Sequence, residues 1–159
     1  MLGSLARWLR ILGFDVSYDP SLDDGELVRR AAAGQRVLLT RDTGLVRRRL
    51  ARHALLVTST TLPEQLRQVC TCFGIRPEPD RLFRRCLRCN VPLRNLSREA
   101  AAARVPPYVA RTQERFQECP GCRRVYWRAT HVESMLARLR ALGLAPADAE
   151  TPTAEPPDP

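Results

Sequence analysis

Lysine is absent from this 159-residue chain, and all 26 of its basic residues are Arg. Histidine occurs only twice, as His53 and His131, and aromatic residues make up 6% of the chain. Neither histidine lies in an acidic segment, which speaks against acid–base chemistry run by a pair of imidazoles. Arg recurs every few positions, so no apolar run approaches the roughly 18 to 20 residues of a membrane span. The first fourteen residues carry Arg7 and Arg10 and no acid, but they lack the Ser richness of an organelle presequence and run straight into patterned sequence.

The chain itself is 44% hydrophobic, an ordinary globular composition for one domain or two small ones, with a net charge of +9. The lack of Lys beside many Ala and 13 Pro looks like base-composition bias, so where the charge sits is a better guide than its total. Residues 1–80 carry +3, residues 81–144 carry +10 and residues 145–159 carry −4. The last stretch has five prolines and no large apolar residue, too little to repay the entropy of ordering. It is expected to be a disordered acidic tail.

Leu2, Leu5, Leu9 and Leu12 form the stripe of an amphipathic helix over about 2–12, closed by Gly13. Residues 14–18 alternate apolar and polar between Gly13 and Pro20, the pattern of a strand. Asp23 and Glu26 have the layout of a helix cap with its reciprocal partner, predicting a second helix over 24–33 that stops at Gly34. The apolar run 37–40 reads as a buried parallel strand; Leu45, Val46 and Leu50 support a third helix. A strand at 54–57 and a fourth helix carrying Leu62, Leu66, Val69 and Phe73 complete the alternation. This is an α/β layer fold with a parallel sheet, although a chain that opens on a helix has no strand feeding it. From about residue 77 the composition turns to Arg, Cys and Pro, a second, loop-rich unit. Thr130 and Glu133 are placed to cap a last helix with Val132, Met135, Leu136 and Leu139, ending near Gly143.

Two C-x-x-C pairs, Cys86/Cys89 and Cys119/Cys122, stand out in that unit. Each pair can present two thiolates from a tight turn, and two turns supply the four sulfurs of a tetrahedral zinc site. Disulfides would need an oxidising compartment, for which no signal peptide argues, so a cytoplasmic location is expected. A redox pair would need one C-x-x-C at a helix start beside a strand. A structural Zn²⁺ with no open coordination position is the reading adopted. Cys70 and Cys72 lie outside the pattern and read as buried helix-end cysteines.

Ligands of parallel α/β sheets bind beyond the carboxyl ends of the strands. Asp42 falls there, after 37–40, with Thr40 close by, and Asp24 opens the second helix. Two carboxylates converging on that edge would hold Mg²⁺ or Mn²⁺. The alternative is that Asp23 and Asp24 cap one helix and Asp42 the next.

Met-Leu-Gly-Ser-Leu-Ala-Arg-Trp-Leu-Arg-Ile-Leu-Gly (1–13), Asp-Asp-Gly-Glu-Leu (23–27), Leu-Leu-Thr-Arg-Asp (38–42), Arg-Cys-Leu-Arg-Cys-Asn (85–90) and Cys-Pro-Gly-Cys with Tyr-Trp-Arg-Ala-Thr-His (119–131) occur here in order. Together, over about 1–136, they resemble the Mut-seven C-terminal ribonuclease domain family, which joins a PIN-like nuclease domain to a zinc ribbon. The resemblance implies a PIN-like three-layer domain at 1–76, a zinc ribbon with its C-terminal helix at 80–144, and a metal-dependent ribonuclease-like function. It implies Asp24, Asp42 and Thr40 as the catalytic set, Asp24 and Asp42 as Mg²⁺ or Mn²⁺ ligands, and Cys86, Cys89, Cys119 and Cys122 as zinc ligands. Family members carry a first strand ending in Asp just before the Met-Leu-Gly segment, whereas this chain opens at Met1. That implies either a start placed at an internal Met or a copy lacking one metal ligand.

Single-stranded RNA is the expected partner. Arg84, Arg85 and Arg88 surround the first cysteine pair and Arg123 and Arg124 the second, with Tyr108, Tyr126 and Trp127 interspersed, a combination suited to phosphate contact and base stacking. His131 is expected to pack rather than bind metal, since four cysteines suffice. The rival class is a non-catalytic RNA- or protein-binding module that keeps the zinc ribbon.

Overall fold

The computed structural model describes residues 2–127 and 131–144, without the side chains of Pro79 and residues 131–133. The tail expected at 145–159, the cap expected from Thr130 and Glu133, and the packing role expected of His131 lie outside the described residues. Helix α1 (Gly3–Ile11) buries Leu5, Trp8, Leu9 and Ile11, with Leu12 just beyond, so the leucine stripe faces a core as its spacing predicts.

The strand expected at 14–18 does not form. Side chains take backbone groups that a ladder would use: Val16 N donates to Asn90 Oδ1, and Val16 O accepts from Arg10 Nε and Nη2. The parallel sheet therefore consists of β1 (Leu38–Thr40) and β2 (Ala54–Leu56) among the described residues, with Leu38 opposite Ala54 and Thr40 opposite Leu56. Helix α2 (Asp24–Ala33) is capped by Asp23, whose Oδ1 accepts from Glu26 N at 2.9 Å. The reciprocal arm of that cap is not made, because the Glu26 carboxylate is held by Arg29 and Arg30. Helix α3 (Thr43–Val46) is shorter than expected. The chain turns through the run Arg47, Arg48 and Arg49, and Leu50, expected on its apolar face, is 54% exposed.

Helix α4 (Leu62–Cys72) packs on α1. Leu39 and Leu55 join the core they share, whereas Leu38 and Ala54 pack with Val28 of α2 and Leu45 of α3. Alternate strand residues thus face opposite ways, and helices cover both faces of the small sheet. A three-stranded antiparallel sheet follows, β3 (Arg94–Leu96), β4 (Phe116–Glu118) and β5 (Val125–Trp127), with α5 (Arg98–Ala102) and α6 (Pro107–Thr112) between its first two strands. Ala101, Val105 and Phe116 form its own small core. Helix α7 (His131–Ala141) then returns to the first core, where Leu139 is fully buried among α1 and α4 residues and Arg138 lies 5.8 Å from the Trp8 ring centre. Burying one such leucine contributes about 1.5–3 kcal/mol.

Gly13 joins these parts. Its φ is +91°, and a Cβ there would lie 2.5 Å from the Arg81 carbonyl oxygen. Replacing Gly13 by Ala is expected to cost about 1–3 kcal/mol from backbone strain, with the clash added. Gly74→Ala, at φ +59° with no atom within 4 Å of the new methyl, isolates the strain and is expected to cost less. Urea denaturation of both variants checks the difference.

Asp15 bridges the same region, accepting from Arg36 Nη2 at 2.9 Å and from Asn90 Nδ2 at 2.6 Å. The Arg36 guanidinium, and after it the Asn90 amide, hold the Asp15 carboxylate below its ordinary pKa, against the upward push of partial burial. A depressed carboxylate stabilises the fold above its unfolded value, about 3.9, and loses that contribution as pH falls through its folded value. Asp15→Asn is therefore expected to lower stability at neutral pH and to flatten its decline below about pH 4, read from chemical melts across pH.

Candidate metal centre, acidic edge and basic surface

The two cysteine pairs are built alike. The amides of Cys89 and Cys122 point at Cys86 Sγ and Cys119 Sγ at 3.2 and 3.3 Å. Asn90 N and Arg123 N donate to the carbonyls of Cys86 and Cys119, and Cys86 N and Cys119 N donate to those of Val91 and Arg124, all at 2.9 Å. Closing so tight a turn puts the residue after each pair in the left-handed region, Asn90 at φ +66° and Arg123 at +61°. Asn adopts that conformation readily, whereas Arg there stores strain.

These turns bring Sγ of Cys86, Cys89, Cys119 and Cys122 within 4.8 Å of one another, the expected four-sulfur set. Cys86 and Cys122 sulfurs are 3.7 Å apart. Two sulfurs on a tetrahedral zinc, each about 2.3 Å from it, stand about 3.8 Å apart, so the donor set fits a structural zinc. Tyr126 Oη lies 3.1 Å from Cys86 Sγ. Burial pushes the Cys86 thiol up, but hydrogen bonds from Tyr126 and from the Cys89 and Arg88 amides outweigh it and bring it down to about 6. The thiolate, the form a metal requires, is thereby favoured at neutral pH. Cys70 differs: it is buried in the main core, which pushes its thiol up to about 11 and leaves it inert. Cys72, expected to be buried beside it, is exposed.

At the carboxyl end of β1, Thr40 is buried and its Oγ1 accepts from Asp42 N at 3.0 Å. Asp42 Oδ1 caps α3 by accepting from Gly44 N and Leu45 N at 2.6 and 3.2 Å, leaving Oδ2 without a capping bond. Asp23, not Asp24, caps α2; the Asp24 carboxylate instead lies 3.6 Å from Arg48 Nη2, just past α3. Among the described residues, the four cysteines are the only group of three or more His, Cys, Asp or Glu side chains gathered closely enough to share an ion.

The arginines expected to contact RNA divide by partner. Arg85 is spent inside the fold, donating to the carbonyls of Gly13 and Asn90; Arg84 donates to the Asp80 carbonyl, and Arg123 lies 3.6 Å from Glu118. Arg88 and Arg124 are exposed and line one cleft with Arg7, Leu87 and Tyr126. Arg7, which is not among the arginines expected to contact RNA, sits one turn before Arg10 on the same helix and so on nearly the same face.

These features define a mixed α/β protein with a small parallel sheet, an antiparallel sheet and a four-cysteine cluster compatible with a zinc ribbon. Residues 1–139 match the Mut7-C RNAse domain family, and the chain belongs to that family. Neither the curated proteins nor the solved structures compared with the chain include a match. No helix among the described residues is long and apolar enough to cross a membrane.

Purified protein is expected to hold about one zinc per chain. Replacing buried Cys119 by Ser should remove most of that zinc and lower the melting temperature, whereas Cys72→Ser should alter neither. Metal analysis and thermal melts decide; full zinc in the Cys119 variant would dismiss the four-sulfur site.

Proposed function

We propose that this chain acts on single-stranded RNA as a divalent-metal-dependent, ribonuclease-like protein whose α/β part is PIN-like and whose ribbon holds zinc for structure alone. The observation that carries this reading is membership of an RNAse domain family over residues 1–139. The position of Thr40 and Asp42 at the carboxyl end of a parallel strand supports the residue assignment, because open α/β sheets bind ligands there. In this reading Asp42 does two jobs, Oδ1 capping α3 and Oδ2 offering a hard oxygen donor, while Asp24 supplies a second carboxylate once it parts from Arg48. Mg²⁺ or Mn²⁺, when bound, supplies charge stabilisation at the phosphate and a water of lowered pKa. Thr40 fixes the backbone of Asp42 and so aims its carboxylate.

A second reading, a non-catalytic RNA-binding module, is favoured by one observation: both acids already have protein partners, the α3 amides for Asp42 and Arg48 for Asp24. Cleavage of labelled single-stranded RNA with Mg²⁺ or Mn²⁺ separates the two. The nuclease reading expects EDTA to abolish cleavage and Asp42→Asn to reduce it by about two orders of magnitude or more, the scale of losing several kcal/mol of charge stabilisation. RNA that is bound but left whole selects the binding module. Cleavage that survives both EDTA and the substitution removes the acidic edge from the mechanism.

A further inference from the structure

The cleft between α1 and the cysteine turns is not used by the acidic edge or by the zinc ligands. It has a volume of about 300 Å³, at the lower end of small-ligand sites, and is lined by Arg7, Leu87, Arg88, Arg124 and Tyr126. Its three arginines come from three separate places in the chain: α1, the first cysteine turn and the second. None of them has a carboxylate within 4 Å among the described residues, whereas seven other arginines do. None of the three side chains donates to a backbone carbonyl there either, in contrast to Arg10, Arg84, Arg85 and Arg98. Three guanidiniums lining one cleft with no carboxylate among them repel one another, and a multidentate oxyanion relieves that repulsion.

The backbone around the cleft is also held in place. Arg10, one turn along α1 from Arg7, donates from Nη1 to the carbonyls of Leu87 and Arg88 at 2.8 and 3.2 Å, which locks the first cysteine turn against α1. Tyr126 is tied to Cys86 Sγ, and the Arg124 carbonyl accepts from Cys119 N. The backbones that carry all three arginines are therefore set before any ligand arrives, which limits the ordering cost of binding.

We propose that Arg7, Arg88 and Arg124 form a phosphate-binding cleft that grips one phosphate of an RNA chain, so that α1 and the ribbon act together in holding the substrate. The proposal rests on the RNA-acting reading above and adds to it the place and chemistry of contact. The same oxyanion chemistry is offered by a terminal phosphomonoester, by an internal phosphodiester and by free phosphate.

The test uses the full, zinc-containing chain and an unstructured RNA 12-mer made with either a 5′-phosphate or a 5′-hydroxyl. Arg7→Ala is the central variant because α1 lies outside the ribbon; Arg124→Ala accompanies it. Arg67→Ala, which removes an exposed arginine of α4 that does not line the cleft, controls for net charge. Arg7→Ala and Arg124→Ala are each expected to weaken RNA binding about tenfold, the scale of a lost charge-assisted contact, and to reduce the slope of log affinity against log salt by about 0.7. Arg67→Ala should change affinity by less than about twofold. A preference for the 5′-phosphate oligomer that disappears in Arg7→Ala assigns the cleft to a terminal monoester; equal loss on both oligomers assigns it to an internal diester. Inorganic phosphate should compete with RNA for wild-type protein and less so for Arg7→Ala. Wild-type protein that binds RNA while Arg7→Ala behaves like Arg67→Ala overturns the cleft and spares the RNA-acting reading; wild-type protein that binds no RNA overturns both. If the cleft variants lose zinc faster to a chelator but bind RNA as wild type does, the arginines serve only to offset thiolate charge, and the proposal fails.

Discussion

The contact on which most of the structure hangs is the Arg10 guanidinium. It is 7% exposed and has no carboxylate partner among the described residues, an arrangement that costs several kcal/mol unless its donors are satisfied. Burial lowers its pKa, while the nearby Cys86 and Cys89 sulfurs act in the opposite sense. Its donors reach three backbone carbonyls: Val16 through Nε and Nη2, and Leu87 and Arg88 through Nη1. One planar fork thus ties α1, the segment after it and the first cysteine turn into one unit. Lysine, with a single ammonium centre, could not span those directions.

That tie explains why the change in composition near residue 77 is not a break in packing. Arg85 donates to the Gly13 carbonyl, Asn90 bonds both Asp15 and Val16, and Phe83 N donates to Ile11 O. Leu82, Phe83 and Leu87 pack against the α1/α4 core, and α7 re-enters it through Leu139. The cysteine turns are therefore positioned by α1 as much as by one another. Zinc, by closing the four sulfurs, would stiffen the first core through the same contacts.

The helices were legible wherever apolar spacing and a stop residue agreed, as in α1, α2 and α4, whose apolar stripes and closing glycines are local signals. The cysteine cluster was legible because C-x-x-C spacing is dictated by turn geometry and by metal chemistry. The segment 14–18 was not, because alternation reports a two-sided environment and is silent on who satisfies the backbone. A neighbouring strand and a pair of side chains, Arg10 from the preceding helix and Asn90 from far along the chain, leave the same pattern. Leu50 misled for a related reason: its spacing from Leu45 and Val46 suits a helix, yet the arginines between them give that helix nothing to bury. At the acidic edge the capping role of Asp23 was legible from its spacing to Glu26, but no local pattern shows what Asp24, one residue on, would face. The fold chose Asp23 as the cap and left Asp24 facing Arg48.

Charge shows the same limit more sharply. The +10 of residues 81–144 suggests a uniformly attractive face, but the arginines there are not equivalent. Arg104 pairs with Glu118 and donates to the Arg123 carbonyl, Arg98 closes α6 through the carbonyls of Ala110 and Arg111, and Arg85 is consumed at the α1 junction. A guanidinium whose donors are already engaged still contributes to the long-range field that draws a polyanion in, yet it has little left with which to grip one. Attraction follows the count of charges; recognition follows the few whose donors remain open and whose backbones are held. In this chain those conditions coincide where α1 meets the two cysteine turns, a place that exists only because a buried arginine and four sulfurs bring distant residues together.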